Sequence, residues 1–250
     1  MTMRIFKKRG LYNFLTELEG SSSHFMTLYI RPSSFPDYIH SLSVNSKPGR
    51  YLDEVREAVN TKAVISKAEE YKTGAAIFWE ENESKYIILP PFPITENKFL
   101  IDRLDTSLLY KILERKYIVG VVLVTWGSYA IGIFDGNNLV ESKIGTGYIQ
   151  KRHKKGGRSQ KRFARRTEEQ KKDFLRRVSN RIEEKFRNYT LDYIFFGGNK
   201  LIRKPLIKES KYLESRIEKI SGRTLNIRYA DKEALYCSLE EITQSLVFIC

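Results

Sequence analysis

Ile118-Val-Gly-Val-Val-Leu-Val-Thr125 is rich in β-branched residues and contains no charged side chain. An apolar run of this length is typical of a buried central strand. Outward from it, residues 129–134 predict a second strand, and residues 135–138 contain Asp, Gly and Asn, which tolerate the backbone of a tight turn. Residues 139–144 predict a third strand. We therefore predict three consecutive antiparallel strands.

The chain after this sheet predicts helices and strands in alternation. Phe174, Val178, Ile182 and Phe186 recur every four residues among charged neighbours, which predicts a long amphipathic helix from residue 163 onward. The remaining pattern predicts a strand over 191–196, a helix over 210–220, a strand over 224–229 and a final helix over 232–247. The predicted order is βββαβαβα.

The first part of the chain predicts a smaller α/β unit. Its pattern predicts helices over 11–18 and 51–71 and strands over 25–30, 75–79 and 86–89. Pro90, Pro91 and Pro93 then hold the backbone extended and remove hydrogen-bond donors, so we place a linker there. We expect an N-terminal domain over residues 1–98 and a second domain over residues 99–250.

The positive charge of the chain is local. The 250 residues are 41% hydrophobic, enough to bury a core and to exclude overall disorder, and they carry a formal net charge of +14. Residues 99–250 hold 31 basic and 18 acidic side chains, and residues 151–172 hold eleven basic side chains opposed only by Glu168 and Glu169. Such a cluster indicates a polyanionic partner, with nucleic acid ahead of a membrane surface.

Other sequence features exclude several classes of protein. No apolar run approaches the roughly 20 residues that cross a bilayer, and the basic N-terminus lacks the apolar core of a secretory signal. We therefore expect a cytoplasmic protein that does not act at a membrane. Cys237 and Cys250 are too few for a zinc site or a disulfide framework. Asp135, Glu141 and Asp192 make no convincing nuclease metal set, so we expect neither a metal nor an organic cofactor.

The candidate chemistry lies in the run His153-Lys-Lys-Gly-Gly-Arg-Ser-Gln-Lys-Arg-Phe-Ala-Arg165. The glycine pair allows backbone conformations that are closed to other residues and a close approach to a ligand. The surrounding cations suit RNA phosphates. Gln160 carries a neutral amide, which is a poor general base, so in catalysis it would orient a water molecule or stabilise developing charge.

This run resembles the catalytic loop and following helix of the eukaryotic and archaeal class I translation release factors, in which Gly-Gly-Gln-Ser precedes Arg-Phe-Ala-Arg. In that register Arg158 stands at the family's glutamine position, and the nearby glutamine is Gln160. A displaced glutamine resembles the Vms1-like branch, whose eukaryotic members release nascent chains from stalled ribosomes. The resemblance implies a ribonuclease-H-like middle domain for residues 99–250 and, more loosely, a release-factor N-terminal domain for residues 1–98.

The resemblance also implies roles for individual residues of a basic loop over 145–162. Gln160 is the expected hydrolytic residue, Gly156 and Gly157 shape the tip, and Ser159 supports it. Nine basic residues are expected to contact RNA: Lys151, Arg152, Lys154, Lys155, Arg158, Lys161, Arg162, Arg165 and Arg166. His153 is expected to contact phosphate or solvent and to take no part in proton transfer. Trp126 and Tyr148 lie in or beside predicted strands, so we expect them to pack rather than to stack on bases.

The implied function is hydrolysis of the peptidyl-tRNA ester by water in the peptidyl transferase centre of the large ribosomal subunit. The chain lacks the Asn-Ile-Lys-Ser motif associated with stop-codon reading, and no domain for a GTPase partner is evident. We therefore expect a monomeric, codon-independent hydrolase that rescues stalled ribosomes. The alternative is a non-catalytic module that binds ribosomes or structured RNA through the same basic loop.

Overall fold

The computed structural model describes residues 1–20, 24–42, 49–80, 85–149 and 158–250, with only the backbone for 49–50 and 158–161. It is a mixed α/β structure with two sheets. The chain divides into two compact units: Met1–Arg115 together with Ile242–Cys250, and Lys116–Glu241. None of the described helices is both long enough and apolar enough to cross a membrane.

The elements follow one another along the described residues in this order. The strands are β1 (Thr2–Phe6), β2 (Met26–Ile30), β3 (Ala75–Trp79), β4 (Lys85–Leu89), β5 (Lys98–Leu100), β6 (Ile118–Thr125), β7 (Ser128–Asp135), β8 (Asn138–Thr146), β9 (Tyr193–Gly198), β10 (Ile220–Leu225) and β11 (Ser245–Ile249). The helices are α1 (Lys8–Gly20), α2 (Asp37–Ser41), α3 (Gly49–Val59), α4 (Lys62–Tyr71), α5 (Ser107–Glu114), α6 (Arg158–Phe186), α7 (Lys200–Glu209), α8 (Lys211–Glu214) and α9 (Lys232–Ile242).

The first unit contains a six-stranded sheet in the order β1-β11-β4-β3-β2-β5. Every neighbouring pair in it is antiparallel. Leu28, Ile77 and Ile87 of the sheet form one buried cluster with Leu52 of α3 and Val64 of α4. The burial of these apolar side chains on one face of the sheet holds the helices in place.

The end of the chain corrects the predicted final helix. Helix α9 stops at Ile242, and the next residues form β11, which inserts between β1 and β4 of the first unit. The apolar residues Leu246, Val247 and Phe248 are buried in this sheet. A short apolar run does not distinguish a strand from a buried helix turn, so the long-range pairing decides between them.

The compact units also divide elsewhere than at residues 98 and 99. Strand β5 pairs with β2, and the apolar face of α5 is buried with Leu108, Leu109 and Ile112, so the segment up to Arg115 belongs to the first unit. Residues 242–250 belong there as well, because β11 pairs with β1 and β4. The assignment of residues 1–98 and 99–250 to release-factor domains stays a prediction.

The second unit contains the predicted elements in the predicted order βββαβαβα, with one additional helix, α7, between β9 and α8. Its sheet runs β10-β9-β6-β7-β8, with β6, β7 and β8 antiparallel and with β9 and β10 parallel to β6. This order and these directions agree with the expected ribonuclease-H-like arrangement. Helix α6 buries Phe174, Val178, Ile182 and Phe186 in the core with Val122 and Ile131 of the sheet, as the four-residue spacing predicted.

Several boundaries in this unit differ from the prediction. Residues 200–209 form α7 although Pro205 lies inside it, because Asn199 caps the helix by accepting a hydrogen bond from the Leu201 N–H, and Ile202 and Leu206 are buried. The predicted helix over 210–220 is reduced to the short α8, and the following strand begins at Ile220 rather than at residue 224. The predicted elements keep their order, and α7 is the one helix added to them.

Candidate functional site

The basic loop predicted over residues 145–162, called the basic segment below, leaves the sheet after β8. It does so on the side where the parallel strands β6, β9 and β10 end, which we call the carboxyl edge. Backbone hydrogen bonds hold this edge together. The Asn199 N–H donates to Val124 O at 2.8 Å, and the Gly198 N–H donates to Ile227 O at 2.7 Å. In open α/β sheets, ligands bind outside the carboxyl ends of parallel strands. The candidate site therefore adjoins the edge at which such folds usually bind their ligands.

Gly147 fixes the stem of the segment just after β8. Its N–H donates to Gly127 O at 2.8 Å. A Cβ atom at Gly147 would lie 2.7 Å from Cδ2 of Phe174 and 2.8 Å from Nη2 of Arg177. Real Cβ atoms do not approach other atoms so closely, so only glycine lets the chain pass between β7 and α6 here.

The next residues alternate between the core and solvent. Ile149 packs against the buried cluster, whereas Tyr148 is 77% exposed. Trp126 is half-buried, lies 6.3 Å from the Phe174 ring centroid, and has the Lys171 ammonium 5.2 Å from its own ring centroid. Packing is thus confirmed for Trp126, but the expectation that Tyr148 packs is wrong, because its side chain points away from the face that Ile149 covers.

Helix α6 begins at Arg158, five residues earlier than predicted. The residues after Gly157 are good helix formers, and neither glycine nor proline interrupts them, so the helix extends back to the glycine pair. Ser159 and Gln160 consequently belong to the first turn of α6 rather than to a loop. Phe174 is the first buried residue of α6 among those with described side chains.

The described side chains of residues 162–173, in the N-terminal half of α6, are exposed or half-buried, and we refer to this half as the unburied half. Residues 162–166 are all exposed, and Phe174 follows Arg158 by 16 residues along the helix. At 1.5 Å per residue this half is about 24 Å long. The far half of α6 packs on the sheet, so the near half extends from a rigid base.

The unburied half of α6 is cationic. Arg162, Arg165 and Arg166 are exposed. Arg165 Nε lies 3.0 Å from Glu169 Oε1, but these side chains are 84% and 61% exposed, and such pairs contribute little stability. Within the described residues, Arg162 and Arg166 form no ion pair with a carboxylate. These guanidinium groups face solvent and can approach an anionic partner.

The structure describes only part of the predicted site. Lys151, Arg152, His153, Lys154, Lys155, Gly156 and Gly157 lie outside the described residues. The backbone of Arg158, Ser159, Gln160 and Lys161 forms the start of α6, and Arg162, Arg165 and Arg166 occupy the next turns. One helix thus joins Gln160 to five of the nine predicted RNA contacts. The roles of all these residues stay predictions.

The structure describes the positions of the three carboxylates that were considered as metal ligands. Asp192 Oδ2 accepts a hydrogen bond from the Ile118 N–H at 2.8 Å, and Glu141 lies 3.2 Å from Lys185 Nζ, which raises the pKa of that ammonium. Asp135 is the last residue of β7, directly before the turn to β8, although the sequence predicted it in the turn. No group of three or more His, Cys, Asp or Glu side chains in the described part of the chain is arranged to hold a metal ion.

Arg177 was not singled out from the sequence, yet it lies at the stem of the segment. Its guanidinium stands beside Gly147, and its neighbour Val178 is buried in the core. The helical spacing around Phe174 and Val178 places residue 177 on the rim of the packed face of α6. That helical spacing is the sequence signal that could have identified Arg177. The contact of Arg177 with Gly147, however, depends on how β8 and α6 pack.

The second unit thus carries the predicted basic segment between the third strand of its sheet and the long helix α6. Residues 118–245, about half of the chain, match the family model described as Actinobacteria/chloroflexi VLRF1 release factor. The chain belongs to this family of release factors, which confirms the resemblance inferred from the basic run.

Curated relatives are release factors of archaea. The chain is 24% identical to peptide chain release factor subunit 1 of Thermoplasma acidophilum, over 96% of this chain and 62% of the relative. It is 26% identical to the protein of the same name from Aeropyrum pernix, over 85% of this chain and 63% of the relative. The chain thus spans about three fifths of the length of these relatives.

Solved structures with some similarity include an archaeal translation termination factor, aRF1, and the Vms1 mitochondrial localization core. The first is 21% identical, with a TM-score of 0.39, and the match covers 92% of this chain and 68% of that structure. The second is 13% identical, with a TM-score of 0.40, and the match covers 87% of this chain and 89% of that structure.

Proposed function

We propose that this chain is a ribosome-associated peptidyl-tRNA hydrolase that frees nascent chains from stalled complexes without reading a codon. Membership of a release-factor family supports the class of reaction. One structural observation carries the proposal: Gln160 belongs to the first turn of α6, 14 residues before Phe174, the first buried residue among those whose side chains are described. This separation corresponds to about 21 Å of helix. A group at this distance from the core can enter a narrow cavity that excludes the domain itself.

The positive charges on the same half of α6 support the proposal that the cavity entered by Gln160 is lined with RNA. Arg162, Arg165 and Arg166 are exposed along it, and the segment before it adds further basic residues in the sequence. Cations that neutralise phosphates release bound counterions and so contribute a large part of the binding free energy. The proposed partners are accordingly ribosomal RNA of the peptidyl transferase centre and the peptidyl-tRNA held there, in the cytoplasm.

The proposed chemistry is attack by water on the ester carbonyl carbon of peptidyl-tRNA. A bond forms between the water oxygen and that carbon, the bond from the carbon to the ribose oxygen breaks, and the ribose oxygen takes the proton. The Gln160 amide both accepts and donates hydrogen bonds, so it suits positioning of the water or of the leaving oxygen. It does not need to change its protonation state.

The start of α6 supplies a second favourable interaction. The first backbone N–H groups of a helix have no acceptor within that helix, and the helix N-terminus carries partial positive charge. Ser159 and Gln160 belong to this turn. A carbonyl oxygen that gains negative charge during attack would be stabilised beside these groups. The neutral amide and the helix start thus favour the same step.

The fixed stem supports positioning. On one side, Gly147 is hydrogen-bonded to Gly127 and Ile149 packs in the core, and on the other side α6 is anchored from Phe174 onward. A segment anchored at both ends samples fewer positions than a free tail. This restriction lowers the entropic cost of placing Gln160 against the ester.

The test is release of peptide from purified stalled ribosome complexes that carry labelled peptidyl-tRNA. Wild type should release peptide, and Gln160→Ala should lower the rate by roughly 100-fold or more, as for the loss of one group that stabilises developing charge. Gln170→Ala, on the same helix, is the matched control and should retain activity.

Two results would contradict the proposal. If wild type and Gln160→Ala both bind the complexes and neither releases peptide, the chain is a binding module that uses the same basic segment. If Gln160→Ala releases peptide at the wild-type rate, hydrolysis does not depend on this amide.

A further inference from the structure

The carboxyl edge of the second unit exposes large apolar side chains. Leu201, Tyr148 and Tyr229 are 80%, 77% and 73% exposed, and no other large apolar side chain that the structure describes exceeds 61%. Single exposed apolar residues are common, but the three most exposed ones share one edge of one sheet. Such a concentration indicates a contact surface.

Backbone hydrogen bonds locate the three residues. Tyr148 follows Gly147, whose N–H donates to Gly127 O at 2.8 Å. The Leu201 N–H donates to Asn199 Oδ1 at 2.9 Å, directly beyond the end of β9. Tyr229 follows Ile227 by two residues, and Ile227 O accepts the Gly198 N–H. The surface thus runs along the whole edge from β8 to β10.

The two tyrosines lie at opposite ends of this edge. Strands β8 and β10 are the outer strands of the sheet, with β7, β6 and β9 between them. Four spacings between neighbouring strands amount to roughly 19 Å. A partner that contacts the chain beyond the ends of both outer strands must therefore be extended.

Each exposed apolar side chain has a cation close to it in the sequence or near its backbone. Lys200 precedes Leu201, Arg228 precedes Tyr229, and the Arg177 guanidinium lies beside Gly147 at the base of Tyr148. In the described part of the chain, none of these three cations has a carboxylate partner. They are available to an anionic partner.

Three acidic residues described near this edge lie on α9 or directly before it, and one of them, Glu241, accepts a hydrogen bond from the Asn226 N–H at 2.6 Å. Asp231 Oδ1 accepts a hydrogen bond from the Ala234 N–H at 2.8 Å, so this carboxylate caps the helix start. Glu233 is exposed in the same turn. Two of these carboxylates, those of Asp231 and Glu241, are thus hydrogen-bonded to backbone N–H groups of this chain, whereas the three cations have no carboxylate partner among the described residues.

We propose that the carboxyl edge is a platform for single-stranded RNA, on which Tyr148 and Tyr229 stack against unpaired bases. Arg177, Lys200 and Arg228 would neutralise the phosphates between these bases. Flat aromatic rings combined with unpaired cations match a single strand, because its bases expose their π faces and its backbone is anionic. The bases of a duplex are stacked on one another and cannot reach the rings.

This platform deepens the proposed function and rests on it for the choice of RNA as the partner. It lies at the base of α6, whereas Gln160 lies at the far end of the unburied half of that helix. Contacts at the base would fix the domain on the RNA while the tip acts on the ester. Binding at the platform needs neither Gln160 nor peptide release, so the two proposals can fail separately.

The test compares two probes that bind the full chain: a single-stranded RNA of about ten nucleotides, within the site sizes of single-strand binding folds, and an abasic strand of the same length. Tyr148→Ala and Tyr229→Ala should each weaken binding of the RNA about tenfold, because one stacked base is lost. Neither should change the affinity for the abasic strand. Tyr148→Phe and Tyr229→Phe keep the ring and should bind the RNA like wild type.

The cations have their own readout. The double variant Lys200→Ala with Arg228→Ala should weaken binding to both probes and lower the dependence of affinity on salt by about one unit of slope per lost phosphate contact. Lys116→Ala removes a single cation beside the turn at Gly136, at the opposite edge of the sheet, and should leave the slope unchanged.

The platform is contradicted if the alanine variants of both tyrosines bind RNA as wild type does. It is also contradicted if these variants weaken binding of the abasic strand by the same factor as binding of the RNA. If they impair peptide release but not RNA binding, the edge contacts a group other than an unpaired base and the inference is also wrong. Conversely, a chain that binds RNA through both tyrosines but never releases peptide retains the platform and loses only the proposed hydrolase activity.

Discussion

Gly147 lies so close to Phe174 that a Cβ at this glycine would stand 2.7 Å from the Phe174 ring. This contact joins the two anchors of the basic segment, because Gly147 ends the stem from β8 and Phe174 begins the packed half of α6. The position of the basic segment therefore depends on Gly147 having no side-chain methyl group. Neither residue belongs to the run that resembles the release factors.

Gly147→Ala should lower the free energy of unfolding of the second unit by about 1–3 kcal/mol, because the added methyl group overpacks a tight contact. Peptide release should fall as well, although Gln160 is intact. Denaturant unfolding and the release assay measure both effects. Gly20→Ala is the matched control: nothing lies within 4 Å of a Cβ there, so its stability should stay near wild type. An unchanged release rate in Gly147→Ala would argue that the stem does not position the tip.

Two phenylalanines test the division of α6 into an unburied and a packed half. Phe174 is fully buried, whereas Phe163 is 41% exposed. Phe174→Ala should cost about 3–5 kcal/mol of stability through the lost burial and the cavity. Phe163→Ala should cost less than about 1 kcal/mol, as for most surface positions. Comparable losses in denaturant unfolding of the two variants would indicate that the N-terminal half of α6 is packed as well.

Exposed arginines of α6 should contribute to the affinity for ribosomes. Replacing Arg162 and Arg166 together with Ala should weaken binding and reduce its salt dependence, by about one unit of slope per phosphate contact. Arg187→Ala, just beyond the other end of α6, where Arg187 is paired with Glu183, is the control and should leave the slope as in wild type. Binding affinity measured over a range of salt concentrations tests this prediction. An unaltered slope in the double variant would exclude direct phosphate contact by Arg162 and Arg166.

The first unit should lose stability in acid through Asp105. Burial raises the pKa of this carboxyl, but the hydrogen bonds from Lys98 and Ser107 outweigh burial, so the pKa lies below its ordinary value. A lowered pKa in the folded state means that the carboxylate stabilises the fold above its ordinary pKa and that this contribution is lost as the pH falls through the lowered value.

Asp105→Asn should therefore destabilise the first unit at neutral pH and flatten its acid dependence. Unfolding curves measured from neutral pH into the acid range provide the test. Asp102→Asn, at an exposed aspartate of the same segment, should retain the acid dependence of wild type. If the Asp105 and Asp102 variants show the same pH profile, the hydrogen bonds to Asp105 do not set the acid stability.

The core of the second unit could be predicted because its signals are local. The apolar run of β6 and the four-residue spacing from Phe174 to Phe186 each lie within one element, and both gave the correct element. The same holds for the basic run, whose residue order identified the release-factor resemblance without any structure. Tyr148 was misjudged because exposure depends on what the neighbouring strand and helix cover.

Order along the chain, charge and family resemblance were thus readable from the residues alone, because each depends on neighbours in sequence. Packing was needed to place β11 beside β1 and β4, to bring Arg177 against Gly147, and to gather Tyr148, Leu201 and Tyr229 at one edge. These contacts join residues that are far apart in the chain. Their free energy comes from surfaces that exist only after the elements have assembled, so no local pattern encodes them.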